Sequence, residues 1–221
     1  GIGTVLLFLA WRFSEAVCTG IEAQDLSADM AARSIAWNGL ADRCAVRRGD
    51  LRSPWLREGL APADLVTGTP PYLPVGSGPE STRVQCGPCR FEHRGGIEDY
   101  CLAAAELLAP GAPFIACAAG FQRKRVTDAA TAAGLTLTGW QDILPKPGKP
   151  PLFAVFSMMR PPPPSAAIPR GDSPEPPSPA GHSLLPPFSA LPPFTEDEPL
   201  LLRGPDGRFT VEHDLLRHAM G

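Results

Sequence analysis

The stretch Ala63-Asp-Leu-Val-Thr-Gly-Thr-Pro-Pro-Tyr72 sets an acid, a short apolar run, small polar residues, two prolines and an aromatic in a row. Ala63 to Thr67 reads as a strand. Consecutive prolines lack backbone donors and have a fixed φ, so a strand ladder cannot continue through them. The chain is therefore expected to leave the sheet here in one rigid, extended shape. That presents the Pro70 carbonyl with Tyr72 close by as a flat stacking surface. A rigid acceptor beside an aromatic plate suits a planar substrate that carries an amino group.

Strand and helix patterns alternate on both sides of this turn. Before it, residues 3–13 read as a buried helix and 16–23 as a short strand ending in Glu22. Leu26 to Leu40 reads as a helix with Ser27 as N-cap, and Cys44 to Arg48 as a strand ending at Gly49-Asp50. After it, residues 73–94 are rich in Gly, Pro, Ser and Arg and read as a long loop, a kind of segment that is often functional. Then come a helix over 96–109, closed by Pro110-Gly111, a strand over 113–118 and a helix over 122–133. Two closing strands, 135–144 and 152–158, flank a turn rich in Pro, Lys and Gly. The alternation predicts an α/β fold with a mainly parallel sheet, and the consecutive closing strands predict an antiparallel edge strand.

With 221 residues and 43% hydrophobic content, the chain has room for one domain and a tail. The expected division is a domain over 1–160, a Pro-rich linker over 161–199 and a short element over 200–221. The linker span holds 14 of the 28 prolines. Phe209, Val211, Leu215, Leu216 and Met220 are expected to form a small helical element that docks back on the body. The body is nearly neutral, with 16 basic and 15 acidic side chains, and the remainder is acidic, with 4 and 8. Basic residues cluster at Arg47, Arg48, Arg52 and Arg57, at Arg90 and Arg94, and at Arg123 to Arg125; such groups either meet phosphates or form a solvated surface. No apolar run approaches the roughly 20 residues that span a bilayer, so no membrane partner is expected. Cys18, Cys44 and Cys117 read as buried small hydrophobes and Cys101 as facing the core. With no disulfide framework, a reducing, intracellular compartment is expected, cytoplasmic or organellar.

Ligands in open α/β sheets bind at the carboxyl ends of the strands. Four features fall there in order: Gly1-Ile2-Gly3 before a helix, Glu22 after one strand, Asp50 after the next, and Thr69-Pro70-Pro71-Tyr72 after the third. This order resembles the class I S-adenosylmethionine-dependent methyltransferases. More narrowly it is similar to the methyltransferase small domain group, which holds bacterial tRNA adenine-N6 methyltransferases and release-factor glutamine methyltransferases. Arg94-Gly-Gly-Ile-Glu-Asp-Tyr100 and Leu107-Leu-Ala-Pro-Gly111 resemble the helix and turn that follow the motif there. The resemblance covers about residues 1 to 160.

The resemblance implies a Rossmann-like fold, S-adenosyl-L-methionine as cofactor and methyl transfer to a planar amino group, most simply adenine N6 in tRNA or another RNA. A protein glutamine is the alternative target, and a non-catalytic binding module a further one. Gly1 and Gly3 would close the cofactor loop, Glu22 would bind the ribose, and Asp50 with Leu51 the adenine. Thr69, Pro70, Pro71 and Tyr72 would receive the acceptor group. The family's usual Asn is Thr69 here, and a hydroxyl differs from a carboxamide in reach. The chain opens inside the loop motif, so it is expected to be a fragment without the first strand, its neighbours left with unpaired edges.

Other chemistries find less support. Cys86-Gly-Pro-Cys89 matches a redox motif, but the polar stretch before it has no strand character, and no second pair stands at zinc spacing. None of His93, His182, His213 and His218 pairs with a nucleophile. The Pro-rich stretch reads as a solvated linker in preference to a ligand for SH3 or WW-type domains.

Overall fold

A computed structural model of the chain describes residues 1–81, 86–161 and 194–211, without the side chain of Cys86. Helix α1 (Thr4–Arg12) starts from Gly3, whose φ of 87° lies in the left-handed region. A Cβ there would stand 3.1 Å from that of Ala31, so glycine lets the two helices of this end approach. Residues 3–13 read as a buried helix, yet only Ala10 is fully buried, and Val5, Phe8 and Trp11 are exposed. Three-residue spacing keeps these three on one face.

Strands β1 (Cys18–Glu22) and β2 (Cys44–Arg48) pair in parallel, with Glu22 opposite Arg48. Helix α2 (Asp25–Trp37) connects them. Its N-cap is Gln24, and Ser27, expected in that role, is inside the first turn and buried. Gly39, at φ 66°, ends the helix as the Leu40 N–H turns back to the Ile35 carbonyl at 3.0 Å.

A second sheet has five strands: β3 (Val66–Gly68), β4 (Pro113–Ala119), β5 (Thr136–Leu144), β6 (Phe153–Met159) and β7 (Thr195–Leu201), in the order β3-β4-β6-β5-β7. β3 and β4 are parallel, and β6 runs antiparallel to both β4 and β5. The antiparallel strand, expected at an edge, therefore lies inside the sheet, because β4 and β5 flank it, and β7 forms a parallel edge beyond β5. β7 takes in 195–199, residues grouped with the linker, and begins the terminal element as a strand. Linker residues 162–193, and Leu215, Leu216 and Met220, lie outside the described residues. Among the described residues no ladder joins β1 or β2 to β3.

The core lies between the five-stranded sheet and helices α4 (Ile97–Leu107) and α5 (Arg123–Ala132), with Phe114, Phe156, Met158, Val126 and Trp140 buried. Trp140 stacks on Phe156 at 5.6 Å. Small residues such as Cys101, Ala104, Ala129 and Ala130 let the helices sit close. Cys44 is also buried, while Cys18 and Cys117 are half-buried. No helix among the described residues is long and apolar enough to cross a membrane.

Candidate active site

The ladder between β3 and β4 ends at Gly68 opposite Ala116. A Cβ on Gly68 would stand 2.8 Å from the Tyr100 ring, so glycine lets that ring pack on the strand end. The chain then turns out through Thr69, which is exposed, Pro70, which is buried, and Pro71 and Tyr72, which are half-buried. The Tyr72 carbonyl accepts a bond from Gln122 Nε2 at 2.9 Å, and its hydroxyl lies 3.2 Å from Cys117 Sγ. Burial, then the Cys117 contact, lifts the Tyr72 phenol far above its usual range. Among the described residues, neither the Thr69 hydroxyl nor the Pro70 carbonyl has a hydrogen-bond partner.

Glu22 ends β1. Its Oε1 accepts the Gln24 N–H at 2.7 Å, and its other oxygen meets the Gly1 amino group. Asp50, two residues beyond β2, is held by Arg52 through Nε at 3.0 Å, Nη2 at 2.6 Å and the backbone N–H at 3.0 Å. These bonds keep its carboxyl below the ordinary range. Leu51 is half-buried, and its carbonyl accepts from Arg57. Tyr100 links the acid to the turn: burial first, then the Asp50 charge, pushes its phenol up to about 12. Sequence reasoning gave Tyr100 no role; its only signal was its place in the run from Arg94 to Tyr100.

The segment after Tyr72 folds back over the strand ends. The Leu73 N–H donates to the Arg90 carbonyl at 3.0 Å and the Glu92 N–H to the Leu73 carbonyl at 2.9 Å. Within it, α3 (Cys86–Arg90) brings Cys89 Sγ to 3.3 Å from Gln24 Nε2, beside Glu22. Glycines at 95 and 96 shape the far end: a Cβ on Gly96 would meet Arg125 Nη2 at 2.8 Å. Arg125 grips Glu92 at 2.7 and 3.0 Å and Glu98 at 2.6 and 2.7 Å.

Most of the clustered cations are engaged within the chain. Arg48 pairs with Asp29, Arg52 with Asp50, Arg57 with Glu106, Arg123 with Glu196 and Lys124 with Asp128. Arg47 donates to the carbonyls of Leu56 and Glu58. Arg90 and Arg94, beside the turn, have no carboxylate within 4.0 Å among the described residues. Cys89 of the Cys-x-x-Cys pair is exposed, and the segment at 82–85 lies outside the described residues. Among the described residues no cluster has the donors of a metal site, and His93 pairs with Glu80 at 3.0 Å.

No protein-family model matches the chain. It is 30% identical over 113 residues to the tRNA1(Val) (adenine(37)-N6)-methyltransferase of Porphyromonas gingivalis, a stretch that spans 50% of this chain and 43% of that relative. The whole chain superposes on 86% of a predicted O-methyltransferase from Agrobacterium tumefaciens, with a TM-score of 0.65 and 17% identity. A geranyl diphosphate C-methyltransferase from Streptomyces coelicolor, solved with S-adenosyl-L-homocysteine, matches 72% of this chain over 68% of its own, with a TM-score of 0.50 and 10% identity. At these identities the likeness establishes the fold.

Proposed function

We propose that this chain, which has the class I S-adenosylmethionine-dependent methyltransferase fold, methylates a planar amino group, adenine N6 in tRNA. The observation that carries this reading is the pair of acceptors at Thr69 and Pro70, without a partner among the described residues, beside the held ring of Tyr72. An amino group on a planar ring is a poor nucleophile, because its lone pair is delocalised. Accepting hydrogen bonds from both N–H bonds draws the nitrogen toward a tetrahedral shape and frees that pair. The Thr69 hydroxyl and Pro70 carbonyl are the acceptors, and Tyr72 stacks on the ring. A base in RNA must first be turned out of its stack.

The residues fit S-adenosyl-L-methionine. Gly3 offers a left-handed backbone with no side chain at a helix start, and Glu22 offers a carboxylate for ribose hydroxyls. Asp50 and Leu51, after β2, would receive the adenine, with Arg52 yielding part of its grip on the acid. When bound, the cofactor supplies an electrophilic methyl group. The chain's part is position and orientation.

The likeness to a tRNA adenine-N6 methyltransferase and the cations Arg90 and Arg94, with no carboxylate within 4.0 Å among the described residues, support RNA as partner; a protein glutamine presents a similar amide and is the second reading. Mass spectrometry of tRNA nucleosides and release-factor peptides, with and without the intact gene, tests both. Loss of N6-methyladenosine is expected. Loss of a methylated glutamine instead would overturn the RNA reading.

A further inference from the structure

β3 stops at Gly68, while β4 runs on to Ala119 and into the 3₁₀ turn Gly120–Gln122. It is this overhang that reaches Tyr72. Cys117 is the first β4 residue beyond the ladder, and its Sγ lies 3.2 Å from the Tyr72 hydroxyl. Gln122, only 9% exposed, donates from Nε2 to the Tyr72 carbonyl at 2.9 Å. The overhang is itself wedged: a Cβ on Gly120 would stand 2.5 Å from Pro151 Cβ and 2.8 Å from its carbonyl oxygen. Backbone contact with Pro151 therefore sets where Gln122 begins.

A tyrosine ring anchored only at its Cα swings about two side-chain torsions. Here the backbone end is held by a carboxamide and the far end by a thiol. We infer that Cys117 and Gln122 are positioning residues that fix the plane of Tyr72, and so decide which flat group the turn accepts. The inference rests on the function proposed above. A plate displaced by about 1 Å costs a transfer reaction up to roughly 100-fold.

The test uses Cys117→Ala, Cys117→Ser, Gln122→Ala and Gln122→Glu in the full-length protein, with thermal melts to show that each folds. One readout needs no methyl transfer. This chain has two tyrosines, Tyr72 and Tyr100, so with Tyr100→Phe its alkaline absorbance step reports Tyr72; any tyrosine outside the 221 residues is subtracted with a Tyr72→Phe control. Burial of Tyr72 delays that step, and so does its contact with Cys117. Cys117→Ala is expected to move the step to lower pH.

The second readout is kcat/KM on tRNA. Cys117→Ala and Gln122→Ala are expected to lose about 10- to 100-fold. Cys117→Ser restores most of the rate because its hydroxyl still meets the phenol. Gln122→Glu does not, because a carboxylate cannot donate to the Tyr72 carbonyl. An unmoved Tyr72 step together with wild-type kcat/KM in both alanine variants overturns the inference. A moved step in a protein that transfers no methyl group overturns the proposed function and leaves the brace standing.

Discussion

Thr69 carries a hydroxyl where the methyltransferases it resembles use a carboxamide, and it is exposed at the end of β3 with no partner among the described residues. In the proposed reaction its hydroxyl accepts one bond from the substrate amine. Thr69→Ala removes that acceptor and is expected to lower kcat/KM by about 2- to 10-fold, the worth of one net hydrogen bond. Thr69→Asn is expected to match or exceed the natural residue, and steady-state methylation of tRNA measures both. Asp50 makes a second residue-scale case. Arg52 holds its folded pKa below the ordinary value of about 3.9. A depressed carboxyl contributes stability above its unfolded pKa and loses it as pH falls through the folded one. Arg52→Ala is therefore expected to be less stable than the natural protein near neutrality and equal to it below the depressed value. Urea midpoints at the two pH values read this, and a gap that persists in acid would sink it.

The segment that follows Tyr72 is fastened to α4 and α5 as elements, and the fastening runs through Arg125. Its guanidinium makes four bonds to two carboxylates. Arg125→Ala leaves Glu92, only 11% exposed at its side chain, without its main donor. The expected loss is about 1–3 kcal/mol, visible as a lower urea midpoint with an unchanged slope. In the same core, Trp140 joins β5 to β6 by stacking on Phe156, and Arg123 of α5 lies over both Trp140 and Phe194 while pairing with Glu196 of β7. Trp140→Ala is expected to destabilise the protein by about 3–5 kcal/mol and to loosen β7. Hydrogen exchange at β7 amides that stayed as slow as in the natural protein would contradict the second half. Periodicity identified α4, α5, β5 and β6, because a helix or strand pattern is local, and it missed β7, whose residues 195–199 read as linker. It misread α1 as buried, since apolar content says which residues prefer burial and not whether a neighbour covers them.

Four strands, β1, β2, β3 and β7, pair on one side only among the described residues, and their outer edges differ in charge. β7 carries Glu196, Asp197, Glu198 and Pro199, the charges and proline that discourage pairing with another chain. β1 and β3 each pair on one side only among the described residues, and their sequences Cys18-Thr-Gly-Ile-Glu22 and Val66-Thr-Gly68 have little charge to guard them. The 221-residue chain alone is expected to self-associate as its concentration rises and to bind S-adenosyl-L-methionine weakly. Sedimentation and calorimetry test this; a monomer at high concentration with tight cofactor binding would refute it.

The amino-acid sequence alone determined the alternation of strand and helix, the break at Pro70-Pro71 and the order of Glu22, Asp50 and the turn. Each depends on short-range physics: proline's missing donor, side-chain periodicity, glycine's free φ. The tertiary structure decided what each group touches. Arg52 on Asp50, Arg125 on two glutamates, Cys117 and Gln122 on Tyr72, and β7 beside β5 join residues from two to 57 positions apart. A bond of about 3 Å between groups far apart in sequence is set by how the elements pack, and no local pattern records it.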